Sequence, residues 1–263
     1  LAALATFVAI HYPTSWAIEA PGEKLDQIGI FSELGRQVDL STTFVTSEGA
    51  QVTLGSLIEP SGLPTIVIPV YYKCPRLCGL LMGGFIDLLK GLTLSLGEHF
   101  NVVVYSIAAT ETSEDAREAK HQYAELANLT DEQRLRFHFL VGDQSSIDTI
   151  SKDIGFRYLP DGVDFAHSAG LILLTPSGVV SQYFTGIEFH PFDVRLALVE
   201  ASEGKIGTAL DHVMLYCFRF DPLKGKYTWV MTSALRMGGV ITILLLGGLI
   251  AALVYRERRQ RLA

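Results

Sequence analysis

Two cysteines stand four positions apart in Pro69-Val70-Tyr71-Tyr72-Lys73-Cys74-Pro75-Arg76-Leu77-Cys78-Gly79, and they carry the strongest chemical signal in the chain. Thiolate sulfur is both a nucleophile and a soft metal ligand. A Cys-x-x-Cys pair is the usual dithiol redox centre, but here three residues intervene. Side chains at i and i+4 on a helical turn share one face. The two sulfurs therefore point the same way and can grip one ion or close a disulfide. Soft thiolates suit Cu(I), zinc or an iron–sulfur cluster. Two ligands leave a metal site open, so a third should come from elsewhere in the chain.

The elements around the pair say how it is held. Residues 65–72 are short, β-branched and aromatic, which reads as a buried strand. Residues 79–96 read as a mostly buried helix. A strand running into a cysteine pair at a helix start is the thioredoxin-like arrangement. Backbone N–H groups at that start favour negative charge, which predicts a lowered thiol pKa. Buried, inert thiols would be the plainer alternative, but pairing, position and helix start all agree against it. Upstream, 42–45 and 51–54 read as a hairpin joined by 46–50, after an irregular lead-in over 22–40 and before a loop over 55–63. Downstream, strands are expected at 101–107 and 136–141 and helices at 113–127, 145–154 and 191–201. In the first of these helices Ser113 is the expected cap, and Ala116, Ala119, Tyr123 and Leu126 recur at helical spacing. A second hairpin, 170–175 with 179–184, crosses Pro176-Ser177-Gly178. The order βαβα…ββα is that of an α/β, thioredoxin-like fold.

Hydrophobic residues make up 49% of the 263, and the mean hydropathy is +0.30. Much of that excess lies in 237–255, 19 residues without a charge. As a helix this stretch spans about 28 Å, close to a bilayer core. Arg256-Glu257-Arg258-Arg259-Gln260-Arg261 follows at once. The positive-inside rule places that tail in the cytoplasm and the domain before the helix on the outer, periplasmic side of the membrane. Residues 1–10 are apolar but too short to span, and read as the end of a signal-peptide core with cleavage near Ala17 or Ala20. The expected organisation is 1–20 as signal-peptide remnant or N-terminal apolar segment, 21–41 as lead-in and 42–213 as the thioredoxin-like domain. Residues 214–236 form a juxtamembrane segment, 237–255 a transmembrane helix and 256–263 a basic tail. The tail carries +3 against −7 for the whole chain, which leaves −10 on residues 1–255. Such an acidic domain does not suit nucleic acid; it suits cations or a basic partner surface.

Three cysteines mean one pair and one left over, Cys217. It precedes the membrane segment among Tyr216, Phe218 and Phe220, and is expected as a packed thiol rather than a ligand. Among the seven histidines, His99, His121 and His138 fall near element ends without a partner pattern. His167, in Phe165-Ala166-His167-Ser168-Ala169-Gly170, precedes a strand whose leading loop should lie beside the cysteine helix. It is a candidate third ligand, and His190 is a weaker rival.

These stretches resemble the Sco/SenC copper proteins of cytochrome c oxidase assembly, in a branch anchored at the C-terminus. The resemblance runs from about residue 43 to the end. It rests on Tyr71-Tyr72-Lys73-Cys74-Pro75-Arg76-Leu77-Cys78, on 106–120, and on Phe165-Ala166-His167-Ser168 followed by Leu174-Thr175-Pro176-Ser177-Gly178. It also includes Leu215-Tyr216-Cys217-Phe218-Arg219-Phe220-Asp221-Pro222-Leu223-Lys224-Gly225-Lys226-Tyr227. The resemblance implies that Cys74, Cys78 and His167 bind one copper ion, as Cu(I) or Cu(II). It implies a role in building the binuclear copper centre of oxidase subunit II, with that subunit or its assembly factors as partner. The chain departs from the family at Ala108-Ala109, where relatives have Asp-Pro, while Glu111-Thr112 match. Loss of that Asp bears on metal affinity or docking rather than on the three ligands. Two functions follow as expectations. One is a membrane-anchored copper chaperone without turnover of its own. The other is an exported thiol:disulfide oxidoreductase working through a Cys74–Cys78 disulfide, with His167 tuning thiol pKa. A peroxiredoxin-type peroxidase is disfavoured, since no Thr-x-x-Cys motif precedes either cysteine and Lys73 stands just before Cys74.

Overall fold

The computed structural model describes residues 27–74, 77–162 and 164–205, with short pieces at 220–221, 226–227 and 246–247. The expected signal remnant, Cys217, most of the membrane segment 237–255 and the basic tail lie outside the described residues. Among the described residues, no helix is long and apolar enough to cross a membrane.

The chain begins with a two-residue strand, β1 (Gly29–Ile30), and a hairpin of β2 (Thr43–Thr46) and β3 (Gln51–Thr53). A short helix, α1 (Leu54–Ile58), leads to β4 (Thr65–Val70). All six residues of β4 are buried, as are all six of β5 (Asn101–Ser106). That is why both read as continuous apolar runs: strands covered on two faces have no polar alternation. Between them runs α2 (Leu77–Gly91). After β5 come α3 (Ser113–Leu126), the single turn α4 (Asp131–Arg134) and β6 (Phe137–Val141). Then follow α5 (Gln144–Asp153), β7 (Phe156–Asp161), β8 (Asp164–His167), β9 (Gly170–Leu174), β10 (Val180–Thr185) and α6 (Pro191–Ser202).

Seven strands form the main sheet in the order β10-β9-β4-β5-β6-β2-β3. The centre is parallel, with β4 paired to β5 and β5 to β6, while β9 and β2 join antiparallel on either side. Phe85, Phe137 and Phe139 lie at the core, where Phe137 meets Phe139 edge-on at 4.8 Å between ring centroids. The expected α/β, thioredoxin-like architecture is present over the described domain.

Several expectations are corrected. Of the loop expected over 55–63, only 62–63 remain irregular: α1 and a 3-10 turn (Glu59–Ser61) occupy the rest, with Thr53 capping Ser56 N–H. The helix after the cysteines starts at Leu77 and stops at Gly91, not 96. A Cβ at Gly91 would come within 2.8 Å of Pro191, and Leu96 instead bridges Phe100. Thr112, not Ser113, caps α3, in a capping box with Asp115. The lead-in is not irregular throughout. β1 pairs with β7, which pairs with β8, in a separate three-stranded sheet.

Two adjacent glycines of α2 test how the helix is seated. A Cβ at Gly84 would fall 1.7 Å from the Ile187 carbonyl oxygen, whereas one at Gly83 would meet nothing within 4 Å. Helix propensity alone favours alanine at both by about 0.5–1 kcal/mol. At Gly84 a backbone clash outweighs it. Gly83→Ala should raise unfolding stability by about 0.5–1 kcal/mol, and Gly84→Ala should lower it by about 1–3 kcal/mol. Urea denaturation of the two variants checks both signs.

Candidate metal centre

β4 ends at Val70, and the chain turns through Tyr71, Tyr72 and Lys73 to Cys74, whose N–H donates to the Tyr71 carbonyl at 3.3 Å. Cys78 lies in the first turn of α2, and its N–H donates to Cys74 Sγ at 3.4 Å. The first sulfur thus meets one of the amides that a helix start leaves without an intrahelical partner. Cys74 is half-buried and Cys78 is buried.

His167 ends β8, opposite Tyr158 of β7. Its Nδ1 lies 2.8 Å from the Ser168 carbonyl oxygen and its Nε2 lies 3.4 Å from Cys78 Sγ. A carbonyl only accepts, so the proton sits on Nδ1 and the Nε2 lone pair faces the sulfurs. Metal-binding histidines are commonly held this way. Both sulfurs and the imidazole nitrogen lie within 4.8 Å of one another. Edge-on contact with Tyr71, at 5.9 Å between centroids, and a tilted contact with Phe156 at 6.0 Å keep the ring in place.

A second layer holds the cysteine turn. Glu111 is buried, and its carboxylate accepts from Tyr72 N–H at 2.8 Å, Lys73 N–H at 2.7 Å and Ser106 Oγ at 2.5 Å. Lys73 Nζ pairs with Asp115 at 2.8 Å. The Tyr71 hydroxyl donates to Asp164 Oδ1 at 3.2 Å. Tyr72 OH donates to the Leu140 carbonyl at 2.7 Å and its ring stacks on Phe139.

Burial governs the electrostatics. It pushes the Cys78 thiol well above its ordinary range, with the neighbouring Cys74 and the negative Glu111 adding to the effect. The lowered thiol pKa expected from the helix start is therefore reversed at Cys78. Burial also pushes His167 down, against the opposing bond to Ser168. The Tyr71 hydroxyl is raised by burial and by Cys74 and Asp164 nearby. The imidazole is thus neutral and ready to donate a lone pair near neutral pH.

Other histidines stay apart. His190 is exposed at the start of α6, without a side-chain capping bond. His138 lies in β6, pushed down to about 4 by burial and by Lys120 and Arg136. Among the described residues, Cys74, Cys78 and His167 are the one His/Cys/Asp/Glu group placed to hold an ion. Sequence reasoning found these three but assigned no task to Glu111, Tyr71 or Asp164. Glu111 lay inside the matched stretch 106–120; Asp164 carried no signal.

No protein-family model and no curated protein matches this chain. Solved structures do. An Aquifex aeolicus VF5 protein described as a candidate electron transfer protein aligns at 23% identity with TM-score 0.57, over 65% of this chain and 95% of its own. BsSco, a member of the Sco family of cytochrome c oxidase assembly proteins with a disulfide switch, aligns at 21% identity and TM-score 0.50, over 67% and 99%. A SCO1/SenC family lipoprotein from Bacillus anthracis str. Ames aligns at 18% and TM-score 0.50, over 64% and 96%. The resemblance noted in the sequence extends to the fold.

The two thiols differ in access, and burial pushes the Cys78 thiol up; the consequence is measurable. With iodoacetamide at pH 7.5, Cys74 should alkylate at least about tenfold faster than Cys78, because thiolate and access set the rate. Peptide mass spectrometry over a time course of the unmetallated chain reads the order.

Proposed function

We propose that this chain is a copper protein of the Sco/SenC kind, which carries one copper ion between Cys74, Cys78 and His167 toward the binuclear centre of cytochrome c oxidase subunit II. The observation that carries the reading is the convergence of two sulfurs and an imidazole lone pair within 4.8 Å, from elements far apart in the chain. The donor set fits the ion: thiolates hold Cu(I), and an imidazole makes Cu(II) acceptable as well. The likeness in fold to BsSco supports the assembly role. On this reading the copper is cargo, the protein has no turnover of its own, and subunit II or an assembly factor receives the ion. The domain would lie outside the cytoplasm, tethered by residues 237–255, with no nucleic-acid partner.

Within the site each residue has a task. Cys74, half-buried, gives the approach from solvent. Cys78 keeps its proton until an ion displaces it, since burial raises its pKa. Proton release accompanies binding, so affinity rises with pH through the neutral range. His167 adds no such competition there, because its own pKa is lowered.

The unequal access of the two thiols favours a second reading, thiol:disulfide exchange. The Cys74 thiolate would attack one sulfur of a partner disulfide and expel a partner thiolate. Cys78 sulfur would then attack the mixed disulfide, forming Cys74–Cys78 and releasing the second partner thiolate. Two electrons pass to the partner, and the two thiol protons of this chain end on the partner's sulfurs.

Copper titration separates the two readings. The wild-type chain should take up about one copper, and Cys74→Ser or Cys78→Ser should abolish tight binding of both oxidation states. His167→Ala should weaken Cu(II) at least about tenfold more than Cu(I), because the softer ion depends less on nitrogen. Chelator competition under reducing and oxidising preparation measures both. A wild-type chain that takes up no copper, yet equilibrates rapidly with a thiol buffer, would leave the exchange reading in its place.

A further inference from the structure

We infer that Glu111 is the positioning residue of the cysteine turn: its buried carboxylate fixes Tyr72 and Lys73, and through them the distance from Cys74 to Cys78. This deepens the reading of Cys74 and Cys78 as the working pair and rests on it.

Three donors meet the one carboxylate. Oε2 accepts from Tyr72 N–H at 2.8 Å and from Ser106 Oγ at 2.5 Å; Oε1 accepts from Lys73 N–H at 2.7 Å. An ionised carboxylate is acceptor-only on both oxygens, so it satisfies all three. An amide at the same place has one oxygen, and its NH2 would face at least one backbone N–H. Charged acceptors on backbone amides are among the stronger hydrogen bonds, and here the carboxylate is buried.

The anchor on the far side is rigid. Ser106 is the last residue of β5, paired directly with Val70, the last of β4. Its hydroxyl also accepts from Ala108 N–H at 3.0 Å. The segment that departs from the family at Ala108-Ala109 therefore still supports an acidic group beside the cysteines, in the form of Glu111. The Lys73–Asp115 ion pair spans the same gap, but the lysine side chain is 67% exposed. Solvent screens such a pair, and it contributes little. The backbone bonds to Glu111 therefore do the positioning.

Positioned groups react as though at high concentration. With the turn fixed, the two sulfurs stay paired. Without it, Cys74 has one anchor fewer beside the Cys78 N–H bond to its sulfur, and the disulfide loses part of its advantage over the open dithiol.

The test uses the full chain without metal, equilibrated anaerobically with dithiothreitol buffers of graded ratio, with the Cys74–Cys78 state read by alkylation and mass spectrometry. Glu111→Gln should shift the equilibrium about tenfold toward the dithiol, about 30 mV for this two-electron couple. Glu111→Asp keeps the charge and shortens the reach. A shift of about two- to fivefold in the same direction there marks geometry rather than charge. Lys73→Ala should change the equilibrium less than twofold. An equilibrium within twofold of wild type for Glu111→Gln, or a shift toward the disulfide, overturns the proposal. If that variant fails to fold by circular dichroism, the same criteria apply to Glu111→Asp. Copper uptake by the wild-type chain with no shift in the variants overturns this inference alone. A shift without copper uptake overturns the copper reading alone.

Discussion

The parallel pairing of β4 with β5 sets everything downstream. Thr65 faces Asn101 and Val70 faces Ser106, so the two strands finish level. The loops that leave them emerge side by side at one edge of the sheet. One carries the cysteine turn and the other carries Glu111. On the other side of β4, β9 runs antiparallel, with Leu174 opposite Thr65 and Ile172 opposite Val67. Its start therefore points to the same edge and delivers His167. Open α/β sheets commonly place their ligands at the carboxyl ends of parallel strands, and here strand direction alone explains why three distant side chains meet.

Burial and the helix start compete for the thiol at Cys78, and their sizes decide the outcome. A helix N-terminus is worth about 0.3–2 kcal/mol to a nearby negative charge. Desolvation of a fully buried group moves a pKa by up to about 3–5 units, which is several kcal/mol. Cys78 is 3% exposed, so burial prevails. The imidazole is likewise packed against Tyr71 and Phe156, and Phe165 packs edge-on against Tyr71. The result is a site in which the Cys78 thiol and the imidazole are both neutral, and an arriving cation supplies the positive charge that stabilises thiolate.

What could be read from the sequence follows from how local the signal was. The strands β4 and β5 were legible because a run buried on both faces leaves an unbroken apolar stretch. The cysteine pair and α3 were legible from spacing and from acidic residues in the first turn. The β7–β8 hairpin was not. Phe156–His167 includes Pro160, Asp161, Gly162 and Asp164, residue types that favour turns, and β7 takes its other partner, β1, from far upstream. The role of Glu111 was equally invisible, since backbone N–H donors leave no trace in residue type. The thiol pKa at Cys78 was misjudged for a related reason: helix position is local, whereas burial is a property of the whole fold.

The separation of Cys78 and His167 by 89 positions makes the complete donor set a property of the native state. An unfolded chain still offers two thiols four residues apart, but its imidazole is elsewhere. By linkage, a ligand stabilises the folded chain only by the margin with which it prefers that state. A cation content with sulfur alone therefore does little to favour folding. One that requires nitrogen as well draws the sheet together around it, so the two oxidation states of one metal would leave the same chain with different melting temperatures.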